Sequence, residues 1–233
     1  MDEPLVRAFP VTRRSALEAA RSADSAERAR GLRTVSEAYW RPVYGYLRLH
    51  WKKQHEDAAD LTQEFFAQLV DKDLLGRFDP AKARLRTFLR VCIDGLVANQ
   101  ARAANRQKRR AHAFDFEAAR VALGGREAAA SPDAEFEKEW SRAVFAMALE
   151  RLRDRCQREG KEQHFALLEA YDLGDRPSYA ALAERFGIAV TDVTNRLAWS
   201  RRELRASVFE VLGELTSSDE ELREEARALL EPE

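Results

Sequence analysis

The sequence predicts an all-α protein of two helical domains joined by a linker. Three observations carry that expectation. Gly (10) and Pro (7) are scarce among 233 residues, while Ala, Leu, Arg and Glu, all good helix formers, abound. Apolar residues recur at helical spacing over most of the chain, and no segment alternates with the period of a strand. One stretch, GGREAAASPD (Gly124 to Asp133), interrupts the periodicity with turn-forming residues and separates the two halves.

The elements follow in order. Residues 1–31 are polar and rich in Ala, Arg and Ser, and read as a frayed arm or loose helix. A helix is expected from about Leu32 to Trp51, with Tyr39, Trp40, Val43, Tyr46 and Leu47 as its apolar positions. In the next segment, DAADLTQEFFAQLVDKD, Leu61, Phe65 and Leu69 recur every four residues, with Phe66 and Val70 beside them. Asp57, Asp60 and Glu64 fall on a second, acidic stripe of the same helix. From spacing alone that stripe is a solvated face, a metal site lacking further ligands, or a handle for a partner. GRFDPAKARLR (Gly76 to Arg86) reads as a loop. A long helix then runs from about Thr87 to Arg109, burying Phe88, Leu89, Cys92, Ile93, Leu96 and Val97. Asn99, Arg102, Arg106 and Arg109 form a polar and basic stripe along its far end.

Domain boundaries are expected at 32–110 and 135–215, with a linker over 111–134 and a C-terminal extension over 216–233. Helices are expected near 133–158, 162–172, 178–186 and 191–211, the first starting near Ser131-Pro132. In the extension, Ser217 with Glu220, or Ser218 with Glu221, makes a capping box for a last short helix.

Net charge is −1, but its distribution is uneven. From Glu56 to Asp79 there are seven acids (Glu56, Asp57, Asp60, Glu64, Asp71, Asp73, Asp79) against two bases (Lys72, Arg77). From Arg84 to Arg110 there are eight bases (Arg84, Arg86, Arg90, Arg102, Arg106, Lys108, Arg109, Arg110) against one acid, Asp94. An acidic block directly before a basic one would show separate faces to separate partners. The two cysteines, Cys92 and Cys156, imply no disulfide framework and fit a reducing cytosol. No stretch approaches membrane-spanning length and no signal peptide is visible, so a cytoplasmic protein without membrane insertion is expected. His50, His55, His112 and His164 have no metal-binding spacing, and no P-loop or nucleophile elbow occurs. Neither an enzyme nor a cofactor is called for.

SYAALAERFGIAVTDVTNRLAWSRRELRASV (Ser178 to Val208) has helix-turn-helix grammar. Leu182, Ala183 and Phe186 face inward from a first helix, Gly187 takes the turn, and Ile188, Val193 and Leu197 pack the second helix back. Thr191 is the expected N-cap. The outward face carries Asp192, Thr194, Asn195, Arg196, Trp199, Ser200, Arg201 and Arg202. Hydroxyls, an amide and arginines there suit phosphate and base-edge contacts in a major groove, although a solvated α-hairpin would share the pattern.

Taken together, the two halves resemble a bacterial RNA polymerase sigma factor of the extracytoplasmic-function (ECF) group. Asp60, Gln63, Glu64 and Phe66 resemble the family's region 2 motif D-x-x-Q-E-x-F. LRTFLRVCIDGLVANQARAANRQKRR resembles the segment that handles the minus-ten promoter element, and YDLGDRPSYAALAERFGIAVTDVTNRLAWSRREL resembles region 4. The resemblance implies that Asp57, Asp60, Gln63, Glu64 and Phe66 dock on the basic clamp helices of the largest polymerase subunit, with the second domain near the flap region. It implies that Phe78, Lys82, Arg84, Leu85 and Arg86 hold the melted non-template strand, with Asn99, Arg102 and Arg106 along the adjacent DNA. Phe88, where the family often has Trp, is expected to support that loop from the core. Thr191, Asp192, Thr194, Asn195, Arg196, Trp199, Ser200 and Arg201 would meet the double-stranded minus-thirty-five element. An anti-sigma or other regulatory protein is a further implied partner.

Besides Phe88, the chain departs from the family pattern at further positions, and its N-terminal arm and C-terminal helix are additions. Asp94-Gly95 replaces an Arg-Asn-like pair, and Thr194 and Trp199 stand where base-reading arginines are common. Arg196 and Arg201 are then left to serve phosphates or internal pairs. Two rivals remain on sequence: a stand-alone dimeric helix-turn-helix regulator, and a sigma-like module recruited by a separate targeting protein. The first explains 178–208 but not the acid-then-base order of 56–110.

Overall fold

A computed structural model describes residues 15–106 and 132–230. Among these residues every regular element is helical. Nine α-helices follow in order: α1 (Ala16–Ala20), α2 (Ser25–Leu49), α3 (His55–Asp71), α4 (Leu85–Arg106), α5 (Pro132–Arg158), α6 (Glu162–Leu168), α7 (Tyr179–Phe186), α8 (Val190–Leu215) and α9 (Asp219–Leu230). A 3₁₀ turn (Leu75–Arg77) precedes α4, and a π-helical stretch (Glu169–Leu173) extends α6. The expected linker over 111–134 lies almost wholly outside the described residues, as do Arg109, Arg110 and the first fourteen residues.

The start of the chain departs from expectation. Residues 16–31 are not a loose arm: α1 packs on α2, which begins seven residues before Leu32. Ser15 Oγ caps α1 by accepting from Glu18 N–H at 3.2 Å, and Asp24 Oδ1 caps α2 by accepting from Glu27 N–H at 2.8 Å. The crossing depends on Gly31. A Cβ there would lie 2.3 Å from Ala20 N and 2.4 Å from Ala16 O, so only glycine admits this approach.

The largest core runs through both halves. It joins Val35, Tyr39, Val43 and Leu47 of α2 with Leu61, Phe65 and Leu69 of α3 and Leu89, Ile93 and Val97 of α4. Phe136, Trp140 and Val144 of α5 and Val208, Val211 and Leu212 of α8 complete it. Each such buried side chain contributes roughly 1.5–3 kcal/mol. The second half therefore folds back on the first. The 27-residue α5, about 40 Å long by its rise per residue, reaches this core with one end and a second cluster with the other. In that cluster Leu152 and Cys156 meet Phe165 and Leu168. A third cluster (Leu167, Leu182, Ala183, Val193, Leu197) holds α7 against the start of α8. Gly187, at φ 64°, makes the left-handed turn between them. Cys92 is buried, and burial pushes its thiol up to about 12.

Candidate polymerase and promoter interface

The acidic stripe forms as its spacing predicts. Asp57, Asp60 and Gln63 are exposed along one side of α3, while Leu61, Phe65 and Leu69 face the core. Glu64 is half-buried and held in place: Gln68 Nε2 donates to Oε1 at 2.8 Å, and Gln100 Nε2 of α4 donates to Oε2 at 2.9 Å. Phe66 is buried at 8% exposure and stacks on Trp40 of α2, rings 5.4 Å apart and 18° from parallel. Phe66 therefore supports the face from beneath, beside the half-open indole of Trp40. Trp40, expected on the apolar side of its helix, is stacked on Phe66 on one face and 40% exposed.

The basic loop is arranged differently from the expectation. Phe78 is 5% exposed and packs on Phe88, ring centroids 5.4 Å apart. The Arg21 guanidinium lies 5.5 Å from the Phe78 ring centre and donates to the Phe78 carbonyl. Phe78 is thus an anchor of the loop, not a platform for a base. Leu85, 1% exposed, likewise belongs to the core. Phe88 occupies the supporting position expected of it. Lys82 stays open at the loop tip, with its ammonium 3.5 Å from Asp79 Oδ2. Asp79 Oδ1 also accepts from Ala81 N–H at 3.0 Å, which fixes the turn after Phe78.

Arg84 and Arg86 are engaged within the chain. Arg84 pairs with Glu224 at 2.5 Å and Glu225 at 2.7 Å, both on α9. Arg86 pairs with Glu225 at 2.5 Å and with Glu137 of α5 at 2.7 Å, and its guanidinium stacks over Trp140 at 4.8 Å. Burial works against the Arg86 charge, but Glu137 and Glu225 outweigh it and hold its pKa above the ordinary arginine value. Farther along α4, Asn99 is half-buried and Arg102 exposed, the latter donating to Asn99 Oδ1 at 3.4 Å. Arg106 closes the helix, and its side chain lies outside the described set.

Asp94, the odd residue of this segment, is structural. Its buried carboxylate accepts from Trp51 Nε1 at 2.8 Å and from Tyr46 Oη at 3.1 Å, tying α4 to the end of α2. Burial raises its pKa above the usual aspartate value, against the pull of those two donors.

On α8 the expected recognition face divides into two parts. Thr191, Asp192, Thr194 and Asn195 are exposed in the first turns. The N-cap is Ala189 and makes no side-chain bond, so Thr191 does not cap the helix as expected. Ser200 is fully buried, donating to the carbonyls of His164 and Arg196, each at 2.9 Å, so it cannot meet DNA. Trp199 packs edge-on against His164 at 5.0 Å, with Lys161 Nζ 4.4 Å from its ring centre. Arg196 is held by Gln163 of α6. Arg201 makes two 2.8 Å bonds to Asp172, which raise its pKa, and lies over Tyr171. Arg196 and Arg201 thus stitch α8 to α6 and its extension.

The stretch that carries the acidic stripe and the basic helix has a known counterpart. Residues 35–107 match the family model of Sigma-70 region 2. The chain therefore contains a region 2 domain. Region 2 serves polymerase binding and promoter recognition in transcription initiation, a non-enzymatic role, so core RNA polymerase and promoter DNA are the partners it implies. No curated protein and no solved structure matches the chain. Among the described residues no helix is long and apolar enough to cross a membrane, and no cluster of His, Cys, Asp and Glu could hold a metal ion.

Trp40, Gln100, Glu137, Glu224, Glu225 and Arg21 are not among the expected site residues and bear on this site. Each acts through a neighbour brought in by tertiary packing, which no local spacing signals.

Proposed function

We propose that the chain is an ECF-like sigma factor that binds core RNA polymerase, recognises minus-ten and minus-thirty-five promoter elements and assists promoter opening. One observation carries this reading. The region 2 match over 35–107 is followed along the chain by a tight helical hairpin, α7–Gly187–α8, whose second helix opens with exposed Thr191, Asp192, Thr194 and Asn195. In this reading residues 32–110 act as a region 2-like unit, 135–215 as a region 4-like unit and 111–134 as the tether between them.

The roles follow from charge and exposure. Asp57, Asp60, Gln63 and Glu64 offer an ordered acidic face to the basic clamp helices, with Trp40 as an adjacent apolar contact. Lys82, Arg84 and Arg86 neutralise phosphates of the melted non-template strand, and Asn99, Arg102 and Arg106 follow the adjacent DNA. The polar start of α8 enters the major groove of the upstream element. Two weak DNA contacts become one strong contact when both engage the same promoter.

The internal engagement of Arg196 and Arg201 favours a second reading, a sigma-like module brought to DNA by another targeting protein. Run-off transcription on a genomic fragment library, with pure chain and core polymerase, separates the two. New and specific start sites support the sigma factor. Polymerase binding without transcripts supports the recruited module.

A further inference from the structure

We propose that helix α9 is an acidic clamp that competes with DNA for the Arg84–Arg86 face. The inference rests on reading that face as the contact for the melted strand. Glu225 is 3% exposed and sits between two guanidiniums, taking Arg84 Nη1 at 2.7 Å and Arg86 Nη1 at 2.5 Å. Glu224 takes Arg84 Nη2 at 2.5 Å, and Glu137 takes Arg86 Nε at 2.7 Å. Two guanidiniums thus face three carboxylates. The carboxylates use the same N–H donors, in the same charge-assisted geometry, that a phosphate oxygen would need.

The helix is built for release as well as for contact. Its anchorage on the body is light: Ala226 is buried, whereas Leu222, Leu229 and Leu230 are only partly so. A capping box starts it independently of the clamp. Ser218 Oγ accepts from Glu221 N–H at 3.1 Å, and Glu221 Oε2 accepts from Ser217 N–H at 2.9 Å. Thr216, with extended backbone, separates it from α8. The ion pairs therefore carry much of the hold. When a binding-competent state is only fractionally populated, the apparent dissociation constant rises by the inverse of that fraction; a clamp shut nine-tenths of the time costs about tenfold in affinity. Closed, α9 keeps the free chain off DNA. Open, it frees Arg84 and the Arg86 Nη1 that Glu225 holds, while Glu137 still pairs with Arg86 Nε.

The test is fluorescence anisotropy of the full chain with a labelled single-stranded 20-nucleotide DNA at about 0.15 M salt, where charges more than about 8 Å apart are largely screened. Glu224→Gln with Glu225→Gln should tighten binding about tenfold, and adding Arg84→Ala with Arg86→Ala should remove the gain. Asp219→Asn with Glu220→Gln makes the same change of charge at the other end of α9 and should shift affinity less than about twofold. In the unsubstituted chain, saturating DNA should accelerate hydrogen exchange of the α9 amides, because competition is reciprocal. Equal gains from both neutralised pairs, or no gain from Glu224→Gln with Glu225→Gln and no acceleration in α9, would overturn the clamp. If Arg84→Ala with Arg86→Ala still weakens binding in that case, the DNA face stands without the clamp. If the arginine pair has no effect in either background, the DNA face and the clamp both fail.

Discussion

Glu225→Ala should destabilise the protein far more than Glu224→Ala, although the two acids are adjacent and touch the same cluster. Glu225 is buried and accepts from both Arg84 and Arg86. Removing one partner of a fully buried ion pair costs about 3–5 kcal/mol. Here the loss is smaller, because Arg86 keeps Glu137 and the Trp140 stack, and the Arg84 side chain is 41% exposed and can take water. We therefore expect ~2 kcal/mol, near the value of a charge-assisted hydrogen bond. For a chain of this size that lowers Tm by about 4–8 °C. Glu224 has a side chain 50% exposed and one arginine contact, so its replacement should cost less than about 1 kcal/mol. Thermal unfolding of both variants, with Arg86→Ala added to complete a double-mutant cycle, measures the difference. Equal Tm values for the two single variants would refute the assignment of Glu225 as the buried hub.

Three further outcomes are expected. Gly31→Ala should lower stability by about 1–3 kcal/mol by forcing α1 off α2, against a gain of up to about 1 kcal/mol in helix propensity; chemical denaturation reads the balance. Asp94→Asn should gain stability relative to the parent as pH rises from 4 to 7. The folded-state pKa of Asp94 is raised by burial, so its favourable contribution is present below the unfolded value of 3.8 and is lost as pH rises through the folded value. A Tm difference that does not change with pH would count against this, and Asn can still accept from Tyr46 and Trp51. Thr194→Ala with Asn195→Ala should leave Tm within about 2 °C, since exposed positions contribute little, yet reduce discrimination between promoter and random duplex in a competition assay.

Much of the fold was legible because helical periodicity is a local signal. Leu61, Phe65 and Leu69 bury as their spacing predicts, and Leu182, Ala183, Val193 and Leu197 form the hairpin core through the Gly187 turn. The misplaced residues have distant partners in common. Phe78 follows Gly76 and Arg77 in a short polar loop and reads as exposed; Arg21, 57 residues earlier, covers it. Ser200 reads as outward until α6 supplies the His164 carbonyl. Arg84 and Arg86 read as open bases, and their acids arrive from distant elements, Glu137 on α5 and Glu224 and Glu225 on α9. The helix of residues 25–31, weak by composition, is secured by α1 across Gly31. Spacing reports what one element presents; it is silent on what another element lays over it.

The most direct test of the central claim is the affinity of the chain for core RNA polymerase with and without the acidic stripe. Asp60→Arg with Glu64→Arg removes two carboxylates and loses the Glu64 bonds to Gln68 and Gln100, partly exposed contacts worth about 1 kcal/mol together. Fold and Tm should therefore be nearly retained. Against a basic clamp surface the reversal should cost several kcal/mol, more than a hundredfold in affinity by co-elution or surface binding. That loss, with circular dichroism unchanged, is the predicted result. Parent-like binding by the charge-reversed variant would contradict the assignment of α3 as the polymerase-docking helix.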